Sequence, residues 1–214
     1  GTLDMNPENK FKETTPYSPH SPYSASKASS DHFVKAYHDT YGLDITISNC
    51  SNNYGPNQFP EKLIPLVINK LANGEKVPVY GTGENIRDWL YVEDHAKAID
   101  LIFHNGIAGE TYNVGGNCEK TNLEIISELL KNSALGNTTK LEEVIEFVKD
   151  RAGHDLRYAI DTTKIEKELG WKPEETFESG MKKTFEWYMS NKEWMDHVTS
   201  GEYKNWLTVN YKDR

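Results

Sequence analysis

Cysteine is nearly absent: Cys50 and Cys118 are the only two in 214 residues. Two lone thiols make neither a disulfide framework nor a metal site, and they fit a reducing compartment. Long apolar runs are missing as well. No stretch approaches 18 apolar residues, so no segment reads as a membrane-spanning helix. There is no basic run either. The chain carries 33 acidic against 24 basic residues, a net charge of −9 and a pI near 5.3. That balance argues against nucleic acid and against an anionic membrane as partners. No G-x-G-x-x-G follows a strand, so a dinucleotide pyrophosphate cradle is not legible anywhere. The chain opens on Gly1, its first methionine is Met5, and the start has no charged or apolar signal-peptide region. We read it as part of a longer polypeptide.

What is present points to a folded α/β protein of one large domain or two small ones. Aromatics make up 11% of the chain, which argues against disorder despite a mean hydropathy of −0.72. Residues 1–20 are polar and rich in Pro, Ser, Thr and Asn, and read as a loop. Ser21 is an N-cap with Pro22 at the first helical position, and the helix runs to Tyr41 before Gly42. Leu43 to Ile47 alternates with β-branched residues and is expected as a strand, followed by a polar segment, Asn49 to Pro56. Leu63 to Leu71 is a short apolar helix, and Val77-Pro78-Val79-Tyr80 an edge strand. Further on come a helix from Glu93 to Phe103, a strand from Glu110 to Val114, and a turn at Gly115-Gly116. Thr121 and Glu124 form a capping box that opens a helix through Leu130. Asp161 is expected to cap a helix ending at Gly170, and Phe177 to Met189 is another helix. The tail from Asn191 reads as aromatic and irregular.

Tyr23 and Lys27 stand four residues apart and project from one face of the first helix. A phenol with an ordinary pKa near 10 is a poor base at pH 7, and lowering it by roughly three units takes about 4 kcal/mol. An ammonium one turn away is a physically sufficient source, together with a cationic ring nearby. The spacing alone is weak: with 12 tyrosines in 214 residues about one such pair is expected by chance, and Tyr188 with Lys192 also matches. Gly81-Thr82-Gly83 lacks the third glycine of a dinucleotide loop and reads as a turn that positions Arg87. His32, His38, His95, His104 and His197 have no partners at metal-ligand spacing and read as surface or structural.

Small residues surround the Tyr–Lys pair. The run Ser21-Pro22-Tyr23-Ser24-Ala25-Ser26-Lys27-Ala28-Ser29-Ser30-Asp31-His32 resembles the active-site helix of the extended short-chain dehydrogenase/reductases. More narrowly, the resemblance is to the dTDP-glucose 4,6-dehydratases within the NAD-dependent epimerase/dehydratase group. It continues through Asn49 to Pro56, Phe59 to Pro65 and Arg87 to Ala96. Later blocks run from Asp150 to Asp161 and from Glu168 to Pro173. Together these blocks cover nearly the whole chain.

The resemblance implies a partial Rossmann-type parallel sheet, the back part of an NAD-binding domain, from residues 1–55 and 91–118. Residues 56–90 and 119–214 would form a smaller, discontinuous nucleotide-sugar domain. It further implies Tyr23 and Lys27 as catalytic and cofactor-binding, with Asn53 contacting NAD. Asn52 would hold the diphosphate or nearby sugar, while Lys62 and Leu63 would meet the nucleotide. Pro78, Val79 and Tyr80 would line the base pocket. Arg87 and Arg151 would clamp the diphosphate, as planar guanidinium groups can do bidentately. Asp150, Asn122 and His154 would complete the site, with no metal. The implied reaction converts dTDP-glucose to dTDP-4-keto-6-deoxyglucose, with NAD recycled internally, in a cytoplasmic homodimer. A Thr-Asp-Glu cluster that the family uses for proton transfers would lie just upstream of Gly1, so the isolated chain is expected to be inactive. A sister 4-epimerase and a truncated nucleotide-sugar-binding domain remain as alternatives.

Overall fold

The structure, a computed structural model, describes residues 2–136, 138–150 and 155–200. Its elements run α1 (Pro22–Tyr41), β1 (Ile47–Cys50), β2 (Asn52–Tyr54), α2 (Leu63–Ala72), β3 (Val77–Tyr80) and β4 (Ile86–Tyr91). They continue α3 (Val92–Asn105), β5 (Thr111–Val114), β6 (Glu119–Thr121), α4 (Asn122–Asn132), α5 (Leu141–Val144) and β7 (Ile145–Val148). The last are β8 (Arg157–Tyr158), α6 (Thr163–Leu169), α7 (Phe177–Ser190) and α8 (Lys192–Thr199). The fold is mixed α/β with parallel pairing, Rossmann-like in class. β1 pairs with β5 and β3 with β7, both parallel. β4 is the hub of the remaining sheet, parallel to β2 and β8 and antiparallel to β6.

Local chemistry sets several boundaries. The Ser21 hydroxyl accepts from the Ser24 N–H, and Gly42, at φ 66, closes α1 by donating to His38 O. Thr121 and Glu124 form the expected capping box of α4. Other boundaries differ from the sequence reading. The strand expected over Leu43–Ile47 starts only at Ile47. The alternation there is real, but opposite Ile45 lies the turn before β5, met by Gly109 N–H donating to Ile45 O at 2.7 Å. Continuous pairing begins with Ile47 opposite Thr111. The polar segment after it holds β2. Asp161 stands one position before the N-cap, Thr162, although its carboxylate still accepts from Thr163 N–H at 2.8 Å. The tail is not irregular up to Thr199: α8 buries Met195 and sets Trp194 edge-on to Trp187.

Two hydrophobic clusters form. The larger gathers Ile64, Val67 and Ile68 of α2, Ile125, Ile126 and Leu129 of α4, and Met181, Phe185 and Tyr188 of α7. The smaller gathers Ala98 and Ile102 of α3, Tyr112 and Val114 of β5, Ile165 of α6, and Trp171. β4 lies between them: Trp89 and Tyr91 enter the larger cluster and Leu90 the smaller, as the two-residue period of a strand requires.

Residues 2–13 contain no helix or strand but are held down by one buried cation. Arg157, only 1% exposed, makes a bidentate pair with Glu119, Nε at 2.5 Å and Nη2 at 2.8 Å. Its guanidinium also donates to the carbonyls of Asp4, Asn6 and Asn9. Further along, Phe11 N–H donates to Ala159 O, and Asp161 N–H to Phe11 O. Arg157→Met leaves these carbonyls and the Glu119 carboxylate without their partner. The substitution is expected to lower unfolding stability by about 3–5 kcal/mol, read from the urea midpoint at unchanged m-value.

Candidate functional site

A cavity of about 310 Å³ opens where β2, β3, β4 and the starts of α2 and α4 converge. Asn52 and Asn53 reach its wall from β2, Lys62 and Leu63 from the start of α2, and Pro78 and Tyr80 from β3. Arg87 comes from β4 and Asn122 from the first turn of α4. Eight residues singled out from the sequence therefore meet in one place, although they are spread over 70 positions of the chain. Val79 does not join them. Alternation on β3 turns its side chain into the core, where it is 2% exposed. Asp150 follows β7 and packs its carboxylate against Gly81, beside the turn rather than in the wall. Arg151 and His154 lie outside the described residues.

The local chemistry of the wall is uneven. Lys62 is the N-cap of α2 and supplies no side-chain cap, so the helix start keeps unsatisfied N–H groups beside a cation. Arg87 donates to Ile86 O at 2.7 Å and to Asp155 O at 2.9 Å, which ties β4 to the chain next to residues 151–154. Gly83, at φ 75, brings the turn against α4: a Cβ there would lie 2.9 Å from Leu123 Cγ, and Gly83 O accepts from Leu123 N–H. That contact seats Asn122 next to the turn, a closer role for Gly81-Thr82-Gly83 than positioning Arg87 alone. Sequence reasoning gave no role to Gln58, Glu61 or Trp89, which also line the cavity. The strand period could have found Trp89, two residues beyond Arg87 on the same face.

Behind the wall stands Asp88, 1% exposed. Its carboxylate accepts from Cys118 N–H at 2.7 Å and Gly116 N–H at 3.1 Å. Burial pushes its pKa above the ordinary carboxylate value, against the pull of these N–H groups, the Ser51 hydroxyl and Lys10. Burial also raises Cys118, to about 11, and Tyr158, to about 12.

Tyr23 and Lys27 share one face of α1 but not the cavity wall, and Tyr23 is 74% exposed. α1 buries none of its residues. Its link to the cavity runs through the end of β1. Burial there pushes the Cys50 thiol up, against the Asn53 amide, whose Nδ2 donates to Cys50 Sγ at 3.3 Å, and against the Lys27 charge.

A Rossmann-like scaffold whose cavity sets two cations beside asparagines, an aromatic and an uncapped helix start is matched by comparison with known proteins. The chain belongs to the family described as GDP-mannose 4,6 dehydratase, whose model matches residues 1–184. Within it, the chain is similar to the dTDP-glucose 4,6-dehydratase of Salmonella typhimurium, 56% identical over 206 residues. The match covers 95% of this chain and 57% of that protein. The Neisseria meningitidis enzyme of the same name is 53% identical, with 95% and 58% covered. The chain thus spans little more than half the length of these relatives. Among solved structures, the Bacillus anthracis dTDP-glucose 4,6-dehydratase in complex with NAD has a TM-score of 0.86 at 47% identity, covering 92% of this chain and 61% of that one. A Thermotoga maritima UDP-glucose 4-epimerase with UDP-glucose has a TM-score of 0.79 at 27% identity, with 89% and 59% covered.

Because burial raises the Asp88 pKa, the folded state binds this proton more tightly than the unfolded chain does, and ionising the group costs stability. Relative to Asp88→Asn, the unsubstituted protein is expected to lose stability as pH rises from about 4 through the raised pKa. The difference should then stay constant at higher pH, which paired urea titrations at stepwise pH can check.

Proposed function

We propose that this chain is the nucleotide-sugar-binding and Tyr–Lys portion of a dTDP-glucose 4,6-dehydratase. The observation that carries the reading is the single cavity in which Asn52, Lys62, Tyr80, Arg87 and Asn122 converge from separate elements. Lys62, Arg87 and the start of α2 suit a diphosphate. Tyr80 and Pro78 offer a flat, partly apolar wall to a thymine base. The same reading divides the chain into residues 1–55 and 91–118 for the cofactor side and 56–90 and 119–214 for the sugar-nucleotide side. It places the protein in the cytoplasm as a homodimer. No helix among the described residues is long and apolar enough to cross a membrane.

Dehydration of this kind needs a hydride acceptor that later returns the hydride, which NAD supplies when bound. The residues here fit its nicotinamide end. Asn53 has a buried carbonyl oxygen with no hydrogen-bond partner, suited to a carboxamide N–H, and Tyr23 and Lys27 stand one helical turn apart. Tyr23 takes the proton of the sugar hydroxyl at carbon 4, and Lys27 sets a positive charge one helical turn away. Arg87 and Arg151 hold the diphosphate, so the binding energy of the nucleotide orients the sugar. Loss of water across carbons 5 and 6 calls for an acid and a base besides Tyr23. Structural likeness to a UDP-glucose 4-epimerase supports a second reading, and formation or absence of a 4-keto product separates the two.

The test is made on the full-length natural protein. Incubation with dTDP-glucose should yield a keto sugar with no net reduction of NAD; an epimerised sugar or no product overturns the reading. Tyr23→Phe should abolish turnover while dTDP affinity stays within about twofold, since only the proton acceptor is lost. Arg87→Ala should weaken dTDP binding by about 2–5 kcal/mol, measured calorimetrically.

A further inference from the structure

The cavity has a second chemistry, opposite in character to the cations. Gln58 is held at two points. Its backbone carbonyl accepts from the Tyr188 hydroxyl at 2.6 Å, and its side-chain Nε2 donates to Asn53 O at 2.9 Å. Asn57 precedes it at φ 62, a left-handed turn that asparagine tolerates. With the amide nitrogen committed, the orientation of the Gln58 amide is settled, and its Oε1 is buried with no hydrogen-bond partner. Trp89, 6% exposed, likewise leaves its indole Nε1–H unpartnered. Both are tied to β2. Trp89 lies opposite Asn52 on the adjoining strand, and Gln58 is tethered to the next residue, Asn53. Both line the cavity.

A buried donor and a buried acceptor left unpaired are costly, and native proteins seldom keep them without use. A carbonyl oxygen repels a phosphate, so this corner does not serve the anion that Lys62 and Arg87 attract. A group that both donates and accepts matches it, and a sugar hydroxyl is such a group. We propose that Gln58 Oε1 and Trp89 Nε1 form a subsite that reads ring hydroxyls of the hexose, and so select a sugar nucleotide over a bare nucleotide. The assignment rests on the nucleotide-sugar reading above and names its sugar-recognising corner.

Calorimetric titration of the full-length protein with dTDP and with dTDP-glucose tests it, using Gln58→Met and the milder Trp89→Phe, which keeps an aromatic ring in the core. Each substitution is expected to weaken dTDP-glucose binding by about tenfold, the size of one lost hydrogen bond. Affinity for dTDP should stay within about twofold of the unsubstituted protein. A monodeoxy sugar nucleotide lacking the hydroxyl that is read should bind the unsubstituted protein and the variants alike. Equal losses for dTDP and dTDP-glucose make the two residues merely structural and overturn the assignment, as does unchanged dTDP-glucose affinity in Trp89→Phe. If the unsubstituted protein binds neither ligand, the nucleotide-sugar reading fails first and takes this subsite with it.

Discussion

The site depends on a close backbone approach, Gly116 against β4. A Cβ at residue 116 would lie 1.8 Å from Trp89 O, a distance no side chain can adopt. Because the residue is glycine, the loop after β5 can press onto β4, and Asp88 can reach across to take the N–H groups of Gly116 and Cys118. The strand is thereby held from behind. Its odd-numbered residues, Arg87 and Trp89, are left to face the cavity, while Leu90 packs into the smaller cluster. An alanine at 116 would push on the backbone of the strand that carries both.

The cavity is electrostatically divided. One part is cationic, from Lys62, Arg87 and the uncapped start of α2. The other is lined by Gln58 and Trp89, whose amide oxygen and indole N–H are buried without a hydrogen-bond partner. On the proposed function, the ligand that meets both parts carries an anionic segment and a neutral polyol on the same molecule. Neither an inorganic anion nor a free sugar does so, which is a stronger restriction than shape alone sets.

Much of the fold was legible because its signals are local. Ser21 and Gly42 bracket α1, Thr121 and Glu124 open α4, and Gly170 ends α6, each through chemistry confined to one turn. Strand limits were less legible because they are set by partners. Leu43–Ile47 has the right alternation, yet its pairing depends on where β5 begins, over sixty residues away. α8 was missed because aromatics without clear periodicity, such as Trp194, find their place only against Trp187. Eight candidate residues of the cavity were named through family resemblance, and the structure brings them together. Trp89 could have been found from the strand period, but Gln58 escaped notice because an unpaired buried atom is a property of three-dimensional packing, invisible in residue type.

α1 has a consequence for how Tyr23 and Lys27, the pair the proposed function relies on, stay in place. It is a 20-residue helix with no buried residue, and Phe33, Tyr37 and Tyr41 lie on its exposed surface. Helices gain cooperativity from length but little from propensity alone, and most depend on packing. Here the caps at Ser21 and Gly42 satisfy N–H and C=O groups at the two ends of the helix. The alignment of Tyr23 above Lys27 exists only while the first turn is wound, since four residues of unwound chain would scatter the pair. Helix–coil equilibrium at Ser21–Ala25 therefore sets an upper limit on the fraction of molecules in which phenol and ammonium share one face.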